Sequence, residues 1–128
     1  MKDLQKEIAS LRKTTEEVNV LAGAVTQTAD SLMITDRNGT IKFVSQGFEK
    51  LTGFSSKEVV GKTPRVLKSG KHDASFYEML WNTILSGNVF HAEFVNRRKT
   101  GELYYQEGTI TPIRDRRGEI PHFLETGR

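Results

Sequence analysis

The first thirty residues carry apolar side chains at a regular helical spacing. Alternating steps of four and three residues form a heptad seam in which only Thr15 is polar, and this seam predicts an amphipathic helix over residues 1–30. Such a helix could pair with a second copy or pack on its own domain. Pairing is favoured because Glu7 and Arg12 take flanking positions that meet across a parallel dimer. The predicted dimer interface is Leu4, Ile8, Leu11, Val18, Ala22 and Val25.

From Ser31 onward the pattern changes to short strands separated by turn residues. Strands predicted at residues 32–35 and 41–44 flank Asn38 and Gly39, a dipeptide that favours a tight hairpin because both residues tolerate a positive φ. After Gly87, three further strands are predicted at residues 89–96, 103–113 and 119–126.

The middle of the chain has a helical pattern that glycine and proline interrupt. Ser55 and Glu58 form a capping box that opens one helical turn. Asp73 caps a longer helix that ends at Gly87 and presents an apolar stripe to a core or a cavity wall. The stripe consists of Phe76, Tyr77, Leu80, Trp81, Ile84 and Leu85. Residues 31–128 are therefore predicted to form one α+β domain, a five-stranded antiparallel sheet with short flanking helices, preceded by the N-terminal amphipathic helix.

Composition narrows the possible functions. The 128 residues are 36% hydrophobic and 27% charged, which is typical of a globular domain, and the net charge of +3 is too small to indicate nucleic-acid or membrane binding. The chain has no cysteine, which excludes disulfides, thiolate metal sites and a cysteine nucleophile. No apolar run could span a bilayer, and the first residues do not resemble a signal peptide, so a cytoplasmic module is predicted. The basic segments 97–99 and 114–117 are interpreted as solvated hairpin tips.

No motif in the sequence predicts an enzyme. The three histidines, His72, His91 and His122, are far apart and lack metal-ligand spacing. A Gly-x-Ser-x-Gly nucleophile motif is missing, and the segment 60–63 lacks the first glycine of a phosphate-binding loop. We therefore expect a non-catalytic protein.

Two amides fall on strand faces that are otherwise apolar. Asn96 lies in phase with Phe90, and Gln106 occupies the corresponding face of the next strand. A buried amide must be hydrogen-bonded, either to protein or to a ligand, and each residue alone allows both explanations. Two such residues on adjacent strands, with Gly108 freeing space beside them, favour a polar cavity. Arg65 is expected either to reach the same region or to be exposed.

Several separate strings, in order, resemble the PAS sensor domain family over about residues 30–128. They are residues 34–41, 48–54, 58–62, 96–99 and 111–115. The resemblance implies a five-stranded antiparallel sheet with short helices, a cavity for a small molecule or cofactor, and a place in bacterial signalling proteins such as sensor histidine kinases. It also implies that the N-terminal helix is a signalling helix that pairs two protomers, and that an output domain lies beyond this chain.

The resemblance allows the cofactor branches to be compared. In the blue-light branch, the cysteine that forms the flavin adduct corresponds to Pro64, so covalent photochemistry is excluded. Two flavin-contacting amides correspond to Asn96 and Gln106, and a third to Gly127. An aromatic position that is often Trp in redox-sensing flavin members is Phe90. The predicted cofactor-binding residues are Asn96, Gln106, Phe90, Arg65 and Trp81.

The haem branch fits less well. His72, followed by Asp73, corresponds to an axial haem ligand, and a neutral imidazole there could bind iron. The oxygen-contacting arginine of that branch corresponds to Ala92, however, and the string 68–73 also occurs in PAS domains without haem. No metal site is therefore predicted, with His72 a ligand only if haem is bound.

We expect a non-catalytic sensory and dimerisation module that senses a small ligand or cofactor state in its cavity and relays it through flanking helices. The cofactor stays open, with a flavin redox sensor as the first alternative and a haem gas sensor as a weaker one. A further alternative is a protein-interaction module without ligand, which a cavity below ~300 Å³ would favour.

If the N-terminal seam drives pairing, Leu11→Asp places a charge in the dimer interface and should yield monomers. Light scattering measures the outcome. An unchanged dimer would move the interface to the sheet or to another face of the domain.

Overall fold

The computed structural model describes residues 31–128, so the predicted N-terminal helix and its interface residues lie outside the described residues. Five strands are formed: β1 (Ser31–Asp36), β2 (Ile41–Val44), β3 (Phe90–Arg97), β4 (Leu103–Ile113) and β5 (His122–Gly127). The helices are α1 (Gln46–Thr52), α2 (Ser56–Val59) and α3 (Ala74–Leu85), with a 3-10 helix at Pro64–Leu67. This element order confirms the predicted α+β class.

All strand pairs of the sheet are antiparallel, in the order β2-β1-β5-β4-β3. The last strand, β5, therefore lies in the centre, paired on one side with β1 and on the other with β4. Gly108 of β4 lies directly across from Gly127 of β5. Residues on the inner face of β5 therefore have neighbouring strands on both sides.

The first hairpin forms where it is predicted, with a different turn geometry. Only Gly39 has a positive φ, at 88°, while Asn38 does not. The Asp36 carboxylate accepts hydrogen bonds from the backbone N–H groups of Asn38 and Thr40, both at 2.9 Å. The turn is therefore held by an aspartate side chain in addition to the glycine.

Both predicted helix caps are confirmed. The Ser55 side chain accepts a hydrogen bond from the Glu58 N–H, and the Glu58 carboxylate accepts one from the Ser55 N–H. Asp73 accepts a hydrogen bond from Phe76 N–H at 2.9 Å and starts α3. These caps begin α2 and α3 at defined residues, and Leu80 and Ile84 of α3 pack against the inner face of the sheet.

Two apolar clusters cover the inner face of the sheet. The α3 core consists of Leu80, Ile84, Phe90, Phe94, Ile110, Ile120 and Phe123. The hairpin core consists of Met33, Ile41, Val44, Phe48, Val59 and Leu67. Each cluster joins one part of the sheet to different helices, so the two halves of the domain are packed separately.

The basic segment 97–99 lies at a hairpin tip where Arg97 and Lys99 are exposed, as predicted, but the structure corrects the interpretation for Arg98, which is partly buried. Arg98 donates a hydrogen bond to the carbonyl of Leu51, and its guanidinium carbon lies 5.0 Å from the centre of the Tyr104 ring. Lys99 Nζ lies 2.6 Å from the Glu58 carboxylate. The β3–β4 hairpin is thereby attached to α1 and α2, which the sequence pattern could not indicate.

Phe48→Ala should strongly destabilise the domain, because the ring is 1% exposed in the hairpin core. The expected loss in the free energy of unfolding is about 3–5 kcal/mol, measured by urea denaturation. Phe43→Ala is the matched control, since that ring is 36% exposed. A similar loss for both variants would contradict this account of the core.

Candidate functional site

A cavity of about 430 Å³ lies between α3, the 3-10 helix, the first hairpin and the inner face of the sheet. Its apolar wall consists of Leu67, Leu80, Trp81, Ile84, Phe94, Ile110 and Phe123. Polar and charged side chains, including Asn96 and Glu125, also line it. Because the volume exceeds the ~300 Å³ lower bound of small-ligand cavities, the cavity favours a ligand over side chains that fill it.

The five predicted cofactor-binding residues do not all reach this cavity. Asn96, Arg65 and Trp81 line it, whereas Gln106 and Phe90 are buried elsewhere on the inner face. Phe90 belongs to the α3 core, where its ring packs edge-on against Phe76 at 5.7 Å between centroids. Strand phase therefore identified which side chains face inward, but not which of them border the open space.

Gln106 is held away from the cavity by its own neighbours. Its amide lies over Gly127, where any Cβ would collide with it. Its Nε2 is buried and has no acceptor among the residues that the structure describes. The space expected beside Gly108 is also taken, because a Cβ there would lie 2.6 Å from the ring of Phe94. The resemblance placed a third flavin-contacting amide at position 127; here the Gln106 amide occupies that volume.

Asn96 sits at the end of β3, directly across from Tyr104 of β4. It is 8% exposed, and its backbone also forms a β-bridge with Lys68, the residue that follows the 3-10 helix. Burial is the largest cause that raises the pKa of Tyr104 to about 12, and the nearby Asn96 side chain opposes this effect. The Asn96 amide is thus the buried polar group at which the strand end, the 3-10 helix and the cavity meet.

Glu125 is a cavity residue that the sequence interpretation missed. Phe123, Glu125 and Gly127 are two positions apart along β5, so all three lie on the same face of the sheet, the inner one. The Glu125 side chain is partly buried and lines the cavity, and burial raises the pKa of Glu125 to about 7. The same alternation rule that found Asn96 would have found Glu125, because the residue is in phase with the buried Phe123.

His72 does not line the cavity, and its ring is engaged elsewhere. Its Nε2 accepts a hydrogen bond from the backbone N–H of Val95 at 2.9 Å, and its ring stacks on Phe76 at 3.9 Å. A nitrogen that accepts a hydrogen bond from the backbone must lose that bond before it can ligate iron. Within residues 31–128, no group of three or more His, Asp or Glu side chains is arranged to hold a metal ion.

Two cationic side chains lie on the side of the cavity formed by the 3-10 helix. Arg65 belongs to that helix, and Lys68 follows it. The Lys68 ammonium lies 4.1 Å from the centre of the Tyr77 ring, a cation–π contact. Two cations therefore line the cavity on this side, and the Glu78 carboxylate lines it as well.

An antiparallel five-stranded sheet that holds a ligand-sized cavity against short helices defines a class of sensory α+β domains. A family model described as "PAS domain" matches residues 29–128. The chain belongs to the PAS domain family, which confirms the resemblance seen in the sequence. It is a sensory module of the kind found in signalling proteins.

Relatives of known description are regulatory and sensory proteins. The chain is 29% identical over 104 residues to a nitrogen fixation regulatory protein of Klebsiella oxytoca, covering 81% of this chain and 21% of that protein. It is 26% identical over 114 residues to a blue-light-activated histidine kinase of Brucella anthropi, covering 87% and 23%. The chain thus spans about a fifth of the length of these relatives.

Solved structures with the same fold include light-oxygen-voltage domains. One, from work on a flavin analogue, has a TM-score of 0.77 and 26% identity, covering 85% of this chain and 83% of that one. Another belongs to a blue-light activated histidine kinase of Erythrobacter litoralis, with a TM-score of 0.70 and 27% identity, covering 77% and 93%. In the part of this chain that the structure describes, no helix has the length and apolar character needed to cross a membrane.

The raised pKa of Glu125 makes the stability of the domain depend on pH. The folded state holds a proton that the unfolded state releases near pH 4.5, so stability falls as pH rises from about 4.5 to about 7. The loss is expected to reach roughly 3 kcal/mol at most. Tyr104 does not contribute, because its pKa of about 12 keeps it neutral in this range.

Urea denaturation of the wild type and of Glu125→Gln between pH 4.5 and 8 tests this expectation. The stability of Glu125→Gln should fall much less with rising pH than that of the wild type. The exposed control Glu93→Gln should show the same fall as the wild type. Equal slopes for the wild type and Glu125→Gln would contradict the prediction.

Proposed function

We propose that this PAS domain is a non-catalytic sensory and dimerisation module that binds a flavin non-covalently in its cavity. The observation that carries the proposal is the cavity of about 430 Å³ with an apolar wall and the buried Asn96 amide beside it. A planar ring with one polar edge matches such a lining, because its faces need apolar contacts and its edge needs fixed hydrogen-bonding groups.

Three further observations support a flavin. The Asn96 amide can donate to and accept from the polar edge of the ring. Arg65 and Lys68 supply positive charge for the phosphate groups of a flavin nucleotide. The solved relatives include a light-oxygen-voltage domain from work on a flavin analogue. A cysteine adduct is not available, because the chain has no cysteine and Pro64 lies on the cavity wall.

A bound flavin would supply reversible electron uptake, which changes the charge and hydrogen bonding at its polar edge. This chain's contribution is to hold that edge at Asn96, near the end of β3, and to enclose the ring. A change there would shift the sheet relative to the flanking helices, which is the two-state element that a sensor needs.

The proposal extends to the protein as a whole. The N-terminal seam would pair two copies, and an output domain in the longer protein would receive the signal, as the share of the relatives' length suggests. We place the module in the cytoplasm.

The visible absorption spectrum of freshly purified protein tests the proposal directly. We expect the spectrum of an oxidised flavin that is released on denaturation, because no covalent bond can form. A Soret band would instead identify haem. A colourless protein that also fails to bind added riboflavin or flavin mononucleotide would overturn the proposal.

Asn96→Leu should weaken flavin binding roughly tenfold or more, since a buried hydrogen bond to the ligand edge is lost. Asn82→Leu, on the exposed side of α3, is the matched control and should bind normally. Fluorescence titration measures both affinities, and circular dichroism checks that both variants are folded. Unchanged affinity in Asn96→Leu would remove Asn96 from the proposed site.

A further inference from the structure

Glu125 brings a carboxyl group to a part of the cavity wall that is otherwise apolar. In the register of the sheet it lies directly across from Ile110 on β4 and from Met33 on β1. Phe123, two residues earlier on the same strand, lines the same cavity. Its cross-strand neighbours are therefore side chains that cannot hydrogen-bond with the carboxyl group.

No charged partner compensates this carboxyl group among residues 31–128. Its pKa is raised by burial alone, without an opposing charge or hydrogen bond. Two cations, Arg65 and Lys68, line the same cavity, but neither lowers the pKa of Glu125, and Lys68 lies over the Tyr77 ring. Burying a carboxylate without a partner is strongly unfavourable, so this group keeps its proton up to about pH 7 unless a hydrogen-bond donor reaches it.

The carboxyl group of Glu125 lies next to two paired glycines, Gly108 of β4 and Gly127 of β5. Glu125 Oε1 lies 3.8 Å from the position of a Cβ on Gly108, which pairs directly with Gly127. On the other side of this glycine pair, the Gln106 amide lies over Gly127 with its Nε2 unpartnered. An acceptor facing the cavity and a buried donor behind it therefore flank the same glycine pair.

We propose that Glu125 is a ligand-recognition residue whose carboxylate accepts hydrogen bonds from an N–H-bearing group of the ligand, with a cationic nitrogen preferred. The apolar body of such a ligand would lie against Trp81, Ile110 and Phe123. This inference rests on the proposed function, because it requires the cavity to be a ligand site. It adds that the site prefers ligands with an N–H donor, above all a cationic one. A flavin satisfies it through the N–H group of its ring.

The test compares how tightly two small probes of similar shape and opposite charge bind to the 128-residue chain. Benzamidine offers N–H donors and a positive charge on an aromatic body, whereas benzoate has a similar shape with a negative charge. Riboflavin reports whether the cavity takes a flavin at all. Binding is measured by calorimetry at pH 8 for the wild type, Glu125→Gln and the exposed control Glu93→Gln.

We expect benzamidine to bind the wild type and Glu93→Gln equally, and to bind Glu125→Gln roughly ten- to a hundredfold more weakly, as loss of a charge-assisted hydrogen bond requires. Benzoate should bind at least tenfold more weakly than benzamidine to the wild type. Urea denaturation at the same pH checks that Glu125→Gln is as stable as the wild type or more stable, so weaker binding would not reflect unfolding.

The other outcomes separate this inference from the proposed function. If riboflavin binds the wild type and Glu125→Gln equally while benzamidine binds neither or both alike, the cavity is a ligand site and the role of Glu125 is overturned. Benzoate binding as tightly as benzamidine overturns it as well. If neither riboflavin nor benzamidine binds the wild type, the inference and the proposed function fall together.

Discussion

Coverage of the inner face of the sheet is the constraint on which the cavity depends. Five strands spaced by about 4.8 Å make a face roughly 20 Å wide, whereas one helix with its side chains is only about 10–12 Å across. The 12-residue helix α3 therefore packs over one part of this face, and α1, α2 and the 3-10 helix pack over another. Between the two apolar clusters a volume of about 430 Å³ stays open. The site exists because the helices leave part of the sheet uncovered.

The glycine pair at the centre of the sheet determines what borders this space. Gly108 leaves room for the ring of Phe94, and Gly127 leaves room for the amide of Gln106. The side chains of Phe94 on β3 and Gln106 on β4 therefore lie over these two glycines instead of projecting straight away from the sheet. As a result, Gln106 is buried in protein, while Glu125 faces the cavity. Polar recognition in the cavity would therefore depend on these two small residues, because they decide where the neighbouring side chains lie.

Much of the architecture was predictable because local interactions specify it. The caps at Ser55 and Asp73 and the Asn38-Gly39 turn involve residues a few positions apart, and strand alternation assigned Asn96 and Gln106 to the inner face. The role of Arg98 was not predictable, because its partner Leu51 is 47 residues away in the sequence. The same holds for Gln106, whose position depends on a glycine on a strand that pairs with its own only after folding.

By itself, the sequence determined the order of the elements, the inward faces of β3 and β4, the family and the absence of a cysteine adduct, since these follow from residue identity and short-range periodicity. Only the tertiary structure decided which inward side chains border the cavity. It also decided that Glu125 has no charged partner among the described residues. Desolvation depends on everything packed around a group, and the residues around Glu125 come from strands that meet only in the folded sheet.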